Sequence, residues 1–348
     1  MGNGAYDAVL LVSFGGPEGP ADVMPFLENV LRGRNVPRER MLEVAEHYHH
    51  FGGVSPINAQ NAALLAALRQ ELRHHGPDLP VYWGNRNWHP LLTDTLREMA
   101  DAGVRRALAF VTSAFSSYSG CRQYRENILA ACAPLGDRAP QVDKIRVFFN
   151  HPGFVGPMAE NLARSLAQFP AEERASTPVL FTAHSIPTSM ADSCRYVAQL
   201  TEAARLVAAE AGAGAWQLVY QSRSGPPTQP WLEPDVCDSI RSLHAQGVRR
   251  VVVAPIGFIS DHMEVLYDLD AEAADLCRSL GMQMERAATV GTAPAFVRMV
   301  RDLIAERHFG ISERAAIGNL PANHDVCPLD CCPAPLLRRP EGASPARP

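Results

Sequence analysis

"TPVLFTAHSIP" occupies residues 177–187, and its reading decides the fold. The run from Val179 to Ala183 is apolar apart from Thr182 and does not alternate with polar residues. A strand with one wet face alternates; a strand covered on both faces does not, and such strands belong to parallel sheets flanked by helices. The same kind of run recurs at 7–16 (DAVLLVSFGG), 81–85, 106–115 (RALAFVTSAF), 145–150 (IRVFFN), 216–222, 249–258 (RRVVVAPIGF) and 284–290. Between these runs lie longer stretches with apolar residues at three-and-four spacing, such as NAQNAALLAALRQELRHH (58–75) and GFVGPMAENLARSLAQF (153–169), which predict helices. Alternating strands and helices imply an α/β chain with crossover connections.

The pattern runs twice. A break is expected around FFNHPGF, giving one doubly wound domain over 1–148 and a second over 149–290. A C-terminal helix is expected over 291–317. A cysteine-containing tail follows over 318–348, its last residues expected to be disordered. At 348 residues, two domains are the natural division. The chain is 47% hydrophobic and 20% charged with a net charge of −5, so it lacks the basic face that nucleic-acid binding needs. The N-terminal segment has no basic n-region, and no apolar stretch reaches the ~18–20 residues of a membrane span. A reducing, cytoplasmic setting follows, in which eight cysteines read as thiols or metal ligands rather than disulfides.

In doubly wound sheets the ligand lies beyond the carboxyl ends of the strands. Three strand ends carry chemistry. His184 follows an apolar strand directly and is either a satisfied structural histidine or a metal ligand and proton acceptor. In GFISDHMEVLYDLD (257–270), a helix starting near Ser260 would set Asp261, Glu264 and Asp268 on one stripe. The neighbouring Met263, Val265, Leu266 and Tyr267 make a purely solvated acidic face a poor description of it. Fe(II) accepts imidazole and carboxylate, so His184 with Glu264 is a sensible pair of ligands. Gly15-Gly16-Pro17 after the first strand reads as a tight turn at a pocket edge, since its spacing is not that of a dinucleotide loop. Arg32 and Arg34 are either surface arginines or binders of ligand carboxylates.

Five blocks in order, VSFGGPEGPADVMPFLENVLRGR, HYHHFGGVSPIN, AHSIP, QSRSGPPTQPWLEPDV and PIGFISDHMEVLYDLD, resemble ferrochelatases over about residues 7–307. That resemblance implies two Rossmann-like domains facing each other across a porphyrin cleft, and insertion of Fe(II) into the porphyrin as substrate. It gives His184 the place of the family's essential histidine and Glu264 that of its essential glutamate. Asp261, His262 and Asp268 take neighbouring positions on a metal or proton path. Ser55 and Tyr124 match porphyrin-contacting positions. Phe14 stands where some relatives carry a metal-ligating tyrosine, so that ligand is absent here.

Members of the family metallate either protoporphyrin IX or coproporphyrin III. This chain is most like actinobacterial members, which use coproporphyrin III, and its polar segment 31–58 suits a substrate with four propionates. Arg32, Arg34 and Ser55 are candidate partners for those groups. Another tetrapyrrole chelatase, or a haem or siderophore carrier, are the alternatives. Transient contact with other haem-synthesis enzymes is left open.

Three of the eight cysteines, Cys327, Cys331 and Cys332, crowd into HDVCPLDCCPAP (324–335). Cys132, Cys194, Cys237 and Cys277 lie in apolar helical stretches and read as small hydrophobes. Cys121 lies in polar SSYSGCRQY. It completes a set of four, the number a [2Fe–2S] cluster takes. Some relatives hold such a cluster with one internal cysteine and three near the C-terminus. The Cys-x₃-Cys-Cys spacing departs from that of animal relatives, and a zinc site or plain thiols remain open.

Overall fold

The computed structural model describes residues 6–33, 36–225 and 228–334. Two four-stranded, wholly parallel sheets form its frame. The first holds β1 (Ala8–Ser13), β2 (Val81–Asn85), β3 (Arg106–Val111) and β4 (Gln141–Lys144) in the order β2-β1-β3-β4. The second holds β5 (Val179–His184), β6 (Trp216–Gln221), β7 (Arg250–Ala254) and β8 (Gln283–Arg286) in the order β6-β5-β7-β8. The two sheets thus share one strand order, the repeat expected from the sequence. Their central strands are sequestered as the apolar runs require: all six residues of β1 are buried, as are the first five of β5.

One expected strand is displaced. The run 145–150 is not a strand; the fourth strand is the polar QVDK just before it. The Ile145 N–H still bonds Ala109 O at 2.9 Å, after which the chain leaves the sheet. Its apolar residues serve the junction between the halves instead. Phe148 stacks on Phe110 at 5.3 Å and meets Phe154 at 5.7 Å and Phe296 at 5.9 Å. An edge strand can be polar because one of its sides faces water, whereas a linker buried in the core that the two halves share must be apolar.

Helix Ile57–His75 covers the first sheet with Leu64, Leu68 and Leu72, spaced by four. Helix Pro294–His308 returns from the end of the second sheet and packs against both Ile57–His75 and Pro152–Leu166. Beyond it, 309–334 contains neither helix nor strand, yet it is tied down. The Ile317 N–H bonds Asn150 O at 2.9 Å, Asn150 Nδ2 donates to Leu320 O at 2.6 Å, and Arg146 Nη2 donates to Ala315 O at 3.0 Å. The tail expected to be disordered from about 336 onward, like Arg34, lies outside the described residues.

Candidate active site and thiol site

β5 ends on His184, whose register partner in β6 is Gln221. The short connection after β7 then brings Glu264 alongside. His184 Nε2 lies 3.7 Å from Glu264 Oε2. His184 Nδ1 contacts Ser185 O at 2.5 Å. A carbonyl only accepts, so Nδ1 carries the hydrogen, and in the neutral ring the lone pair is on Nε2, facing Glu264. Tyr196 donates its hydroxyl to His184 O at 3.0 Å and fixes the end of the strand.

The charges of the pair are set by mutual proximity. Burial disfavours the His184 imidazolium, but the Glu264 carboxylate outweighs it and raises the pKa to about 9. The protein enclosing Glu264 likewise opposes its ionisation, although the side chain is 47% accessible, yet His184 lowers its pKa to about 2. Asp268 differs: burial, with Glu264 adding, pushes it up to about 7 against the hydrogen bond from Ser222. Gln221 Nε2 donates both to Glu264 O and to Asp268 Oδ2, each at 3.1 Å, and the Ser222 hydroxyl donates to Asp268. Ser222 holds a left-handed backbone, φ 61°, to do so, which marks a constrained position.

The expected acidic stripe does not form as one helix face. The helix begins at Met263, not Ser260, with His262 Nδ1 accepting the Glu264 N–H at 3.1 Å as its cap. From Leu266 to Ala273 it widens into a π-helix. Asp261 precedes the helix and is taken by Arg286 of β8, at 3.2 Å, and by the Thr289 hydroxyl, while its N–H bonds Gln60 Oε1 in the first half. A cation within the fold therefore satisfies Asp261, and Glu264 with Asp268 remain as the acidic groups beside His184.

The first half supplies an aromatic wall. Phe14, half-buried past β1, meets Phe26 edge-on at 6.2 Å, and Phe26 in turn meets Tyr48 at 5.8 Å and Trp88 at 6.2 Å. Burial and then the Glu264 charge push the Tyr48 phenol up, which puts Tyr48 in the field of the pair. Helix Arg38–His50 also reaches across: the His47 ring stacks on Tyr267 at 3.7 Å, with planes 7° apart. Ser55 and Tyr124 are both buried. Ser55 is 4% exposed and sits against Gly16, where a Cβ would meet Ser55 Cβ at 2.6 Å. Tyr124 is 6% exposed, with the Arg86 guanidinium 4.5 Å over its ring and 5.6 Å from Phe14. Arg32 is exposed on the turn that ends helix Pro20–Val30. Sequence reasoning missed Gln221, Ser222, Tyr196 and His47; the polar end of β6 after an apolar strand was the available signal for the first two.

A ferrochelatase family model matches residues 6–308. The chain belongs to the ferrochelatase family. A ferrochelatase from Rhodopirellula baltica is 61% identical over 94% of this chain and 93% of its own length. A coproporphyrin III ferrochelatase from Streptomyces coelicolor is 56% identical over 94% of each chain, and one from Frankia alni is 53% identical over 98% of this chain and 90% of its own. Among solved structures, the sirohydrochlorin chelatase SirB from Bacillus subtilis with Fe³⁺ superposes with a TM-score of 0.54 at 11% identity, covering 86% of this chain and 96% of that one. That likeness concerns the fold alone.

This ferrochelatase also gathers thiols. Cys121 lies in a π-helical turn, Tyr118–Arg122, and the tail folds over it, leaving it 4% exposed. The polar context of Cys121 suggested an exposed thiol; coverage by 327–332 explains the difference. Hydrogen bonds with Cys327 and Cys332, helped by Lys144, pull the Cys121 pKa down, while Cys327 and Cys332 are pushed up. Cys331 Sγ is 3.6 Å from Cys332 Sγ. Cys332 is 4% exposed and holds φ 51°, so its backbone is turned to bring adjacent thiols to one place. Cys194, expected as a plain core residue, lies in a turn beside this group, its ionisation opposed chiefly by burial and then by Cys331.

Proposed function

We propose that this enzyme inserts Fe(II) into coproporphyrin III, giving the iron coproporphyrin of haem b synthesis. The observation that carries the reaction is the His184–Glu264 pair at 3.7 Å, with Tyr48 of the first half's aromatic cluster near enough to feel the Glu264 charge. Metallation exchanges two pyrrole protons for one Fe(II). The Nε2 lone pair of neutral His184 accepts a proton or meets the metal. Glu264 balances the charge of either. Asp268, poised near neutrality and held by Gln221 and Ser222, takes a proton onward along the π-helix. A site of this kind must be electrically flexible, and three groups with separated pKa values supply that flexibility.

The choice of coproporphyrin is supported by the relatives named for it at 49–56% identity and by the polar surface of helix Arg38–His50. There Arg38, Glu39, Arg40, Glu43, Glu46, His49 and His50 are exposed. Protoporphyrin IX, with two propionates, is the competing substrate. Measured side by side, kcat/KM for coproporphyrin III exceeds that for protoporphyrin IX by at least about tenfold, which is about 1.4 kcal/mol of discrimination; equal values count against the assignment. No helix among the described residues is long and apolar enough to cross a membrane, and a cytoplasmic place agrees with a polar rim.

We also propose that Cys121, Cys327, Cys331 and Cys332 hold a [2Fe–2S] cluster. The residues fit: four thiols converge, and Arg122, Arg125 and Lys144 line the same recess, where they offset thiolate charge. When bound, such a cluster would supply a one-electron centre and would join the tail, through three thiolates, to the first half, through one. Anaerobically purified protein shows the visible absorption of iron and inorganic sulfide; a colourless protein with stoichiometric zinc defeats the cluster in favour of a zinc site.

A further inference from the structure

The thiol site holds more donors than a [2Fe–2S] cluster needs, and they fall into two groups. Cys121 and Cys332 are the two buried thiols, each 4% exposed, and Cys121 hydrogen-bonds with both Cys332 and Cys327. Cys327, Cys331 and His324 form an outer group, their Sγ and Nε2 atoms all within 4.8 Å of one another. His324 Nε2 lies 3.9 Å from Cys331 Sγ, close to the spacing of two ligands on one tetrahedral metal, about 3.5–3.8 Å from metal–sulfur and metal–nitrogen bond lengths. Each iron of the cluster takes two protein ligands. If the two buried thiols, Cys121 and Cys332, held one iron, Cys327, Cys331 and His324 would be three donors for two positions on the other, outer iron.

We propose that His324 is a fifth donor, able to hold the outer iron in place of Cys331. The inference rests on the cluster reading above. His324 and Cys331 share the solvent side of the site, His324 exposed and Cys331 half-buried, so exchange between them does not require the buried pair to move. Imidazole is an accepted ligand of one iron in a [2Fe–2S] centre, where it raises the reduction potential relative to thiolate. The segment carrying His324 is held whatever occupies the site: Arg307 Nη1 donates to Asp325 O at 3.1 Å and Arg314 Nη2 to Asp325 Oδ2 at 2.5 Å. The donor is therefore pre-positioned rather than recruited from a free tail.

The test uses full-length protein and reads iron, sulfide, visible absorption and pulsed EPR of the dithionite-reduced state. Wild-type protein carrying iron and sulfide establishes the cluster; wild-type protein without them removes the reading on which this proposal stands. Given that cluster, Cys331→Ala retains near-stoichiometric iron and sulfide, gains a strongly coupled nitrogen lost in ¹⁵N-histidine-labelled protein as a ¹⁴N signal, and titrates at a higher potential than wild type. Cys331→Ala/His324→Ala loses the cluster, as does Cys121→Ala. The proposal is overturned if Cys331→Ala is as colourless as Cys121→Ala. A retained cluster without nitrogen coupling overturns it equally, since that result assigns the rescue to a thiol such as Cys194.

Discussion

His184→Ala and Glu264→Gln each lower the rate of Fe(II) insertion by about 10²–10⁴-fold, the range for loss of a positioned acid–base group, while leaving the fold intact. The reason for the large effect is that the two residues are one device. Glu264 keeps His184 charged in the resting site, with its pKa near 9, and His184 keeps Glu264 ionised, with its pKa near 2. On the proposed mechanism an arriving divalent cation would take the place of the histidine's proton in the field of the carboxylate. Without His184 there is no lone pair at that point; without the carboxylate there is nothing to balance the incoming charge. The reason the fold survives is exposure: the side chains of His184 and Glu264 are 32% and 47% accessible, and neither fills the core. Initial rates with coproporphyrin III, read beside circular dichroism of each variant, check both halves of this expectation. A rate within threefold of wild type in His184→Ala sinks the site assignment.

Arg146→Met destabilises the protein by about 3–5 kcal/mol, the cost of leaving a buried charge without its partner. The side chains of Arg146 and Glu306 are 1% and 7% accessible, and the guanidinium bonds both carboxylate oxygens, Nε to Oε2 at 2.9 Å and Nη2 to Oε1 at 3.0 Å. Arg146 stands in the linker between the halves and Glu306 in helix Pro294–His308, so the pair fastens the returning helix to the junction. Arg314, 3.6 Å from Glu306, relieves part of the loss and sets the effect toward the lower figure. In a thermal scan the melting temperature falls by roughly 4–7 °C. Arg146→Met/Glu306→Leu recovers most of it, because an apolar pair of similar volume replaces two buried ions. A double variant no more stable than Arg146→Met contradicts the buried-charge account.

What the sequence disclosed follows from which forces are local. The non-alternating run Val179–Ala183 announces a strand covered on both faces, and β5 is the central strand that this requires. His184 at its end is equally plain, since the strand fixes where the next residue points. By contrast, IRVFFN carries a strand's composition because it lies inside a core shared by the two halves, and only the packing of Phe148 among Phe110, Phe154 and Phe296 distinguishes the two reasons. The acidic stripe failed for a similar cause. Asp261 has its counter-ion on β8, and the π-helix changes the spacing of its neighbours; both are set by tertiary contacts. Gln221 and Ser222 escaped notice because their task, holding Asp268 and the Glu264 backbone, depends on groups more than forty residues away. Cys121 and the tail cysteines were legible as a count of four, but not the burial of Cys121, which comes from the tail that covers it.

On the proposed mechanism, His184, held charged by Glu264, loses its proton before metallation proceeds. The most direct measurement is the pH dependence of kcat/KM for Fe(II) insertion by wild-type enzyme, under anaerobic conditions from pH 6 to 9.5, since that ratio reports the free enzyme's groups. Below its pKa the neutral fraction of His184 rises tenfold per pH unit, so the rate constant climbs through neutrality and levels near pH 9. Ionisation of Asp268 steepens the climb below about pH 7. A profile that is flat over this range, or that levels near the ordinary histidine value of about 6.5, contradicts the account.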